Sequence, residues 1–201
     1  WPLALARRDP TALTAVRDKA LAELGFWHFV QWRFHAQWRR LREYAHTRGV
    51  HIVGDAPIFV AHQSADVWAR ADQFLLDAQG EPLMVAGVPP DYFSATGQRW
   101  GNPLYRWDAM ERDGFTWWKQ RLAHLFSLVD VARLDHFRGF EAFWEIPASD
   151  PTAEGGRWRD GPGEAFFASI RDALGPLPVI AEDLGVITEG GTRLRRACGF
   201  P

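Results

Sequence analysis

Arg133-Leu134-Asp135-His136-Phe137-Arg138-Gly139-Phe140 follows the apolar run Leu128-Val129-Asp130-Val131-Ala132, and together they set the architecture of this chain. The run predicts a short buried strand, from which Arg133 and Asp135 emerge two residues apart. Strand side chains alternate between faces, so these two point the same way. A carboxylate beside a guanidinium is expected to stay ionised, because the opposite charge lowers its pKa. A nucleophilic or charge-stabilising Asp needs that state.

Two further strands repeat the arrangement. Pro178-Val179-Ile180-Ala181 is apolar and leads into Glu182, and Val50-His51-Ile52-Val53-Gly54 leads into Asp55. Asp55, Asp135 and Glu182 are thus expected at the carboxyl ends of three successive strands. Helical patterns separate them. Residues 12–23 have helix-forming composition behind Asp9-Pro10-Thr11, a capped start. Residues 26–47 carry Trp27, Val30, Phe34, Trp38, Leu41 and Ala45 at steps of three and four, the period of one helical face. That stripe is expected to be packing core. Further helices are expected over 64–71, 115–127 and 164–174, with another from 188.

Between the first two strands, Phe74-Leu75-Leu76 and Pro82-Leu83-Met84-Val85 flank Asp77-Ala78-Gln79-Gly80, which predicts a hairpin turn. Residues 87–103 show no periodicity and are expected to form a long loop. Residues 149–163 are expected to be a surface excursion. Strands alternating with helices argue for parallel pairing through crossovers. Acids at strand carboxyl ends favour part of a (β/α)₈ barrel, whose active sites are built on that face. A doubly wound sheet would normally bring a Gly-rich phosphate loop, and none is present.

Composition narrows the function. A net charge of −2 and no basic run give no reason to expect nucleic acid. No stretch approaches the roughly 18 apolar residues of a membrane span. The single Cys198 excludes an internal disulfide framework and fits a reducing compartment. His35, His46, His51 and His62 lack ligand-like spacing, so neither a catalytic metal nor a cofactor is expected. The 11 Trp and 14 Phe are unusual, and aromatic faces stack on sugar rings as well as pack cores. Two carboxylates at neighbouring strand ends, about 4.8 Å apart, match the roughly 5–5.5 Å separation of a retaining glycosidase pair.

Several longer stretches carry a family resemblance: Phe29-Val30-Gln31-Trp32-Arg33-Phe34, Gly54-Asp55-Ala56-Pro57-Ile58-Phe59-Val60, and Ser64-Ala65-Asp66-Val67-Trp68. The loop from Gly87 to Trp107, the segment from Arg133 to Phe140, and Ala181-Glu182-Asp183-Leu184-Gly185-Val186-Ile187-Thr188 complete it. The chain resembles the 4-α-glucanotransferases (amylomaltases, disproportionating enzymes) of glycoside hydrolase family 77, in the α-amylase clan. The resemblance implies an internal fragment of one (β/α)₈ barrel, with residues 62–110 inserted between the third and fourth barrel strands as subdomain and active-site lid. It implies Asp135 as nucleophile, Glu182 as acid/base, and Arg133 as the partner that orients Asp135. Asp55, Asp91, Tyr92, Phe93, Gln98, Trp100 and His136 would contact the sugar. A third catalytic Asp of the family, in a His-Asp pair on a later strand, has no match here.

The implied substrates are α-1,4-glucans and malto-oligosaccharides, and the implied location is the bacterial cytoplasm or plastid stroma. Alternatives stand beside each role. Asp135 could serve only an ion pair with Arg133 or Arg138, Glu182 or Asp183 could cap the following turn, and Asp55 could cap the bend before Pro57. Rival functions are a hydrolase of the same clan and an inactive glucan-binding barrel.

Overall fold

The computed structural model describes residues 2–185 and 188–201. Val186 and Ile187, quoted above in the last motif, lie outside the described residues. Helices α1 (Leu3–Ala6), α2 (Pro10–Lys19) and α3 (Leu21–His46) open the chain. Then come β1 (Val53–Pro57), α4 (Ala65–Ala69), β2 (Met84–Val88), β3 (Gln98–Pro103), α5 (Trp107–Arg112) and α6 (Thr116–Leu128). The remainder is β4 (Val131–Asp135), β5 (Ala142–Pro147), β6 (Arg157–Asp160), α7 (Gly163–Leu174), β7 (Val179–Ala181) and α8 (Glu189–Cys198).

Local chemistry explains several boundaries. Asp9 accepts the N–H of Ala12 with Pro10 in the first helical position, Ser64 accepts the N–H of Val67, and Thr188 accepts that of Gly191. These side chains satisfy amides that have no partner inside a helix. Gly199, at φ +72°, closes α8 in the left-handed conformation that glycine tolerates.

Two sheets result. β1, β4 and β7 pair in parallel in the order β1-β4-β7, with α6 and α7 entering as crossovers. Pro57 lies opposite Asp135, Asp55 opposite Arg133, and Leu134 opposite Ala181. The second sheet is antiparallel, in the order β3-β2-β5-β6. The main core sits between the parallel strands and helices α6–α8. Trp118, Phe140 and Phe166 are wholly buried there, with the rings of Phe140 and Phe166 stacked at 5.0 Å. Such ring pairs contribute about 0.5–1.5 kcal/mol beyond the burial of their area.

Residues 87–103 are not a loop throughout. Gln98–Pro103 is β3, and it pairs with β2 through Gly87–Arg99 and Val88–Gln98. Its Gly and Asn hide the strand signal. Pairing works because Gly87 lacks a Cβ, which would stand 2.1 Å from the Gln98 carbonyl oxygen. The expected surface excursion at 149–163 likewise contains β6. The turn at 77–80 is as expected, with Leu76 bridged to Pro82.

The stripe on α3 is not core. Trp27, Phe34 and Leu41 are about half exposed, and α3 has no buried residue. The helix is instead held through polar contacts on its C-terminal half. Trp38 Nε1 donates to the Leu128 carbonyl at 2.7 Å. Arg42 Nη2 pairs with Asp130 Oδ1 at 2.5 Å, while Asp130 Oδ2 accepts the N–H of Ile52 at 2.8 Å. Helical periodicity shows that one face is apolar, not what that face meets.

Candidate active site

The register of the parallel strands places the acids. Asp135 is the last residue of β4, and Glu182 follows β7 directly, so the two stand level on neighbouring strands. Asp55 lies two residues deeper, level with Arg133 rather than at the strand end. Arg133 joins all three. Its Nη1 is 2.6 Å from Asp55 Oδ1, and its Nη2 is 3.0 Å from Asp135 Oδ1 and 3.1 Å from Glu182 Oε1. Since one nitrogen touches both, those Asp135 and Glu182 oxygens lie no more than about 6 Å apart, compatible with the carboxyl spacing of a retaining pair.

One guanidinium cannot neutralise three carboxylates. Arg133 does lower the Asp135 pKa as expected, but not enough to keep the carboxyl below its ordinary value: the net shift is upward. Partial burial raises it most, then the like charge of Glu182, and Arg133 offsets only part.

The turn after β4 contributes next. His136 adopts a left-handed backbone, φ 51° and ψ 48°, and its N–H donates to Glu182 Oε2 at 2.5 Å. Its ring is edge-on to Trp100 with centroids 4.9 Å apart. Burial pushes the imidazole pKa down to about 4, so the ring is neutral at pH 7. Its Nε2 is buried without a hydrogen-bond partner. Asp183, the next residue after Glu182, pairs with Arg195 at 3.4 Å.

These groups surround a cleft of about 270 Å³, lined in part by Asp91, Gln98, Trp100, Asp135, His136 and Glu182. β3 delivers Gln98 and Trp100, with Trp100 Nε1 donating to Gln98 Oε1 at 3.0 Å. Asp91 accepts the N–H groups of Phe93 and Ser94, which sets the turn leading into β3. Four expected residues do not line the cleft, among them Arg133, which lies behind the acids that it pairs with. Asp55 is bound to Arg133 at its margin, while Tyr92 and Phe93 stand 95% and 90% exposed at the hairpin tip. Sequence reasoning missed Val88, Pro89, Arg138, Trp158 and Leu184, all of which line the cleft. The alternation in Arg157-Trp158-Arg159-Asp160 was the available sign for Trp158.

Folding also gathers His46, His51 and Asp130, whose potential metal-ligating atoms lie within 4.8 Å of one another. This cluster sits before β1 and β4, at the end opposite the cleft. Arg42, His46 and the Ile52 N–H already satisfy Asp130.

A family profile described as 4-alpha-glucanotransferase matches residues 1–201. The chain belongs to the 4-alpha-glucanotransferase family. It is 54% identical over 201 residues to the 4-alpha-glucanotransferase of Thermus thermophilus, covering 100% of this chain and 40% of that protein. Identity to the chloroplastic/amyloplastic 4-alpha-glucanotransferase of Solanum tuberosum is 48%, covering 100% of this chain and 35% of the relative. Among solved structures, the amylomaltase of Streptococcus agalactiae in complex with acarbose superposes with a TM-score of 0.96 at 42% identity. That match covers 100% of this chain and 41% of the amylomaltase. The chain thus spans about two-fifths of the length of these relatives, and its mixed α/β fold matches that of the amylomaltase. No helix among its described residues is long and apolar enough to cross a membrane.

Proposed function

We propose that the full-length protein is a 4-α-glucanotransferase that moves α-1,4-glucan segments between malto-oligosaccharides by retaining double displacement. The observation that carries this reading is the shared contact of Asp135 and Glu182 with one nitrogen of Arg133. Asp135 attacks the anomeric carbon while a protonated Glu182 gives its proton to the leaving glycosidic oxygen. The resulting glucosyl–Asp135 ester is opened by an acceptor sugar hydroxyl, from which Glu182 removes the proton. Atoms balance with no redox partner. Arg133 opposes the rise in the Asp135 pKa, so more of the nucleophile is ionised than the acid pair alone would allow.

Transfer requires that a sugar hydroxyl reach the ester before water does. Trp100 shields one wall, and Tyr92 and Phe93 would add apolar cover when the hairpin tip closes over substrate. Asp55 is read as holding Arg133 and the sugar bound at the cut. The three parallel strands are read as part of a (β/α)₈ barrel, with residues 62–110 inserted between the third and fourth barrel strands. The hairpin of β5 and β6 completes the antiparallel sheet of that insertion. The barrel reading leaves the present chain inactive alone, and the proposed location is cytoplasmic or plastidial.

Incubating the full-length protein with maltotriose tests the reaction. Glucose plus oligosaccharides longer than the substrate are expected. Products that are all shorter would mean hydrolysis, and no products would return the inactive glucan-binding reading.

A further inference from the structure

Trp158 is an exposed indole in a segment whose composition suggests plain surface. It stands in the middle of β6 and remains 39% exposed, yet its surroundings hold it firmly. Arg157 and Arg159, on either side, face Glu145 at 2.8 and 3.9 Å. Strand alternation therefore turns Trp158 to the opposite face, where it pairs across the strands with Trp144. The two indoles meet edge-on at 5.1 Å, and Trp144 is itself anchored by its Nε1–H to the Ala153 carbonyl at 2.9 Å. Arg138 lies over the Trp158 ring, its guanidinium carbon 3.7 Å from the centroid.

Two features connect this assembly to the acids. Arg138 is three residues after Asp135, in the turn that the left-handed His136 creates, so its place is tied to that of Asp135. Arg138 and Trp158 also line the same cleft as Asp135 and Glu182. They are not part of the Trp100 wall. Trp100 is on β3 and Trp158 on β6, the two outer strands of the antiparallel sheet, three strand spacings or about 14 Å apart.

We infer that Trp158, braced by Arg138, is a sugar-binding platform on the far wall of the cleft that makes the site sensitive to glucan chain length. This inference rests on the glucan reading of the cleft. An indole offers an apolar surface to the C–H face of a glucose ring, and the guanidinium stacked on it keeps that ring in place. Because both groups are fixed before substrate arrives, little side-chain freedom is lost on binding. The platform meets a ring other than the one at the acids, and a longer oligosaccharide can place a ring there in more registers than a short one. Binding energy from this contact is therefore gained more by long chains than by short ones.

The test uses the full-length protein with Trp158→Leu, which keeps apolar packing against Trp144 but removes the ring, and Trp158→Phe, which keeps a ring. For Trp158→Leu, kcat/KM for maltoheptaose relative to maltotriose is expected to fall about tenfold, through KM rather than kcat. Trp158→Phe is expected to recover most of that ratio. A ratio unchanged in Trp158→Leu, or equal losses at both chain lengths in both variants, would overturn the platform. Binding of maltoheptaose and maltotriose by calorimetry on an Asp135→Asn background reads the same preference without turnover. It separates failure of the platform from failure of the transferase reading: the binding ratio reports on Trp158 even if the protein transfers nothing.

Discussion

The backbone N–H of His136 donates to Glu182 Oε2 at 2.5 Å, tying the acid after β7 to the turn that follows the acid of β4. The bond is available because His136 takes a left-handed conformation, uncommon for a residue with a Cβ and costing about 1–3 kcal/mol. Gly139 packs behind it, where a Cβ would lie 3.1 Å from His136 Cδ2. The two acids are thus held in one unit, by Arg133 from one side and by the His136 amide from another.

If Glu182 is the proton donor, Glu182→Gln should lower kcat on malto-oligosaccharides by about 10²–10⁴-fold. The loss in kcat/KM, which reports formation of the ester, should be much smaller on a glucosyl fluoride, whose leaving group needs no proton. Steady-state kinetics on the two donors checks this, and equal losses on both would remove Glu182 from that role.

Asp135 attacks only when ionised, so the acid limb of kcat/KM rises as pH passes up through its raised pKa. Glu182 raises that pKa and Arg133 lowers it. Glu182→Gln should therefore move the limb to lower pH, and Arg133→Ala to higher pH. Profiles measured with a glucosyl fluoride donor decide the matter, and shifts in the same direction would contradict the charge balance described here.

Asp130 is a prediction about stability. Its side chain is only 12% exposed and its pKa is depressed, first by the Ile52 N–H and then by His46 and Arg42. Asp130→Ala leaves the Ile52 amide and Arg42 without this acceptor and should cost about 2 kcal/mol in urea unfolding at pH 7. A depressed folded pKa gives stability that is present above the unfolded carboxylate value of about 3.9 and lost as pH falls through the folded one. Wild type and variant should therefore converge in strong acid.

Gly97 closes the hairpin that presents β3, at φ +68° and with no room for a Cβ, which would stand 2.4 Å from the Val88 carbonyl oxygen. Gly97→Ala should destabilise the β2–β3 pair by about 2 kcal/mol or more. A lowered melting temperature together with weakened oligosaccharide binding is the expected outcome.

The parallel strands and their acids were legible because short apolar runs ending in a carboxylate leave few other readings. What could not be read depended on partners distant in the chain. β3 has a strand-poor composition and exists because Gly87 lets β2 approach it. The α3 stripe is apolar by period yet half exposed. The rise in the Asp135 pKa comes from Glu182 and burial, neither of which its neighbour Arg133 reveals.

In the proposed mechanism Asp135 carries the sugar while Glu182 serves it from the adjacent strand. Full-length Glu182→Gln protein incubated with a glucosyl fluoride donor should accumulate the ester, since removal of the base slows its opening. Peptide mass spectrometry should then find one glucosyl adduct, on the peptide containing residues 131–138 and at Asp135. An adduct on any other residue, or rapid turnover with inverted products and no adduct, would contradict the account.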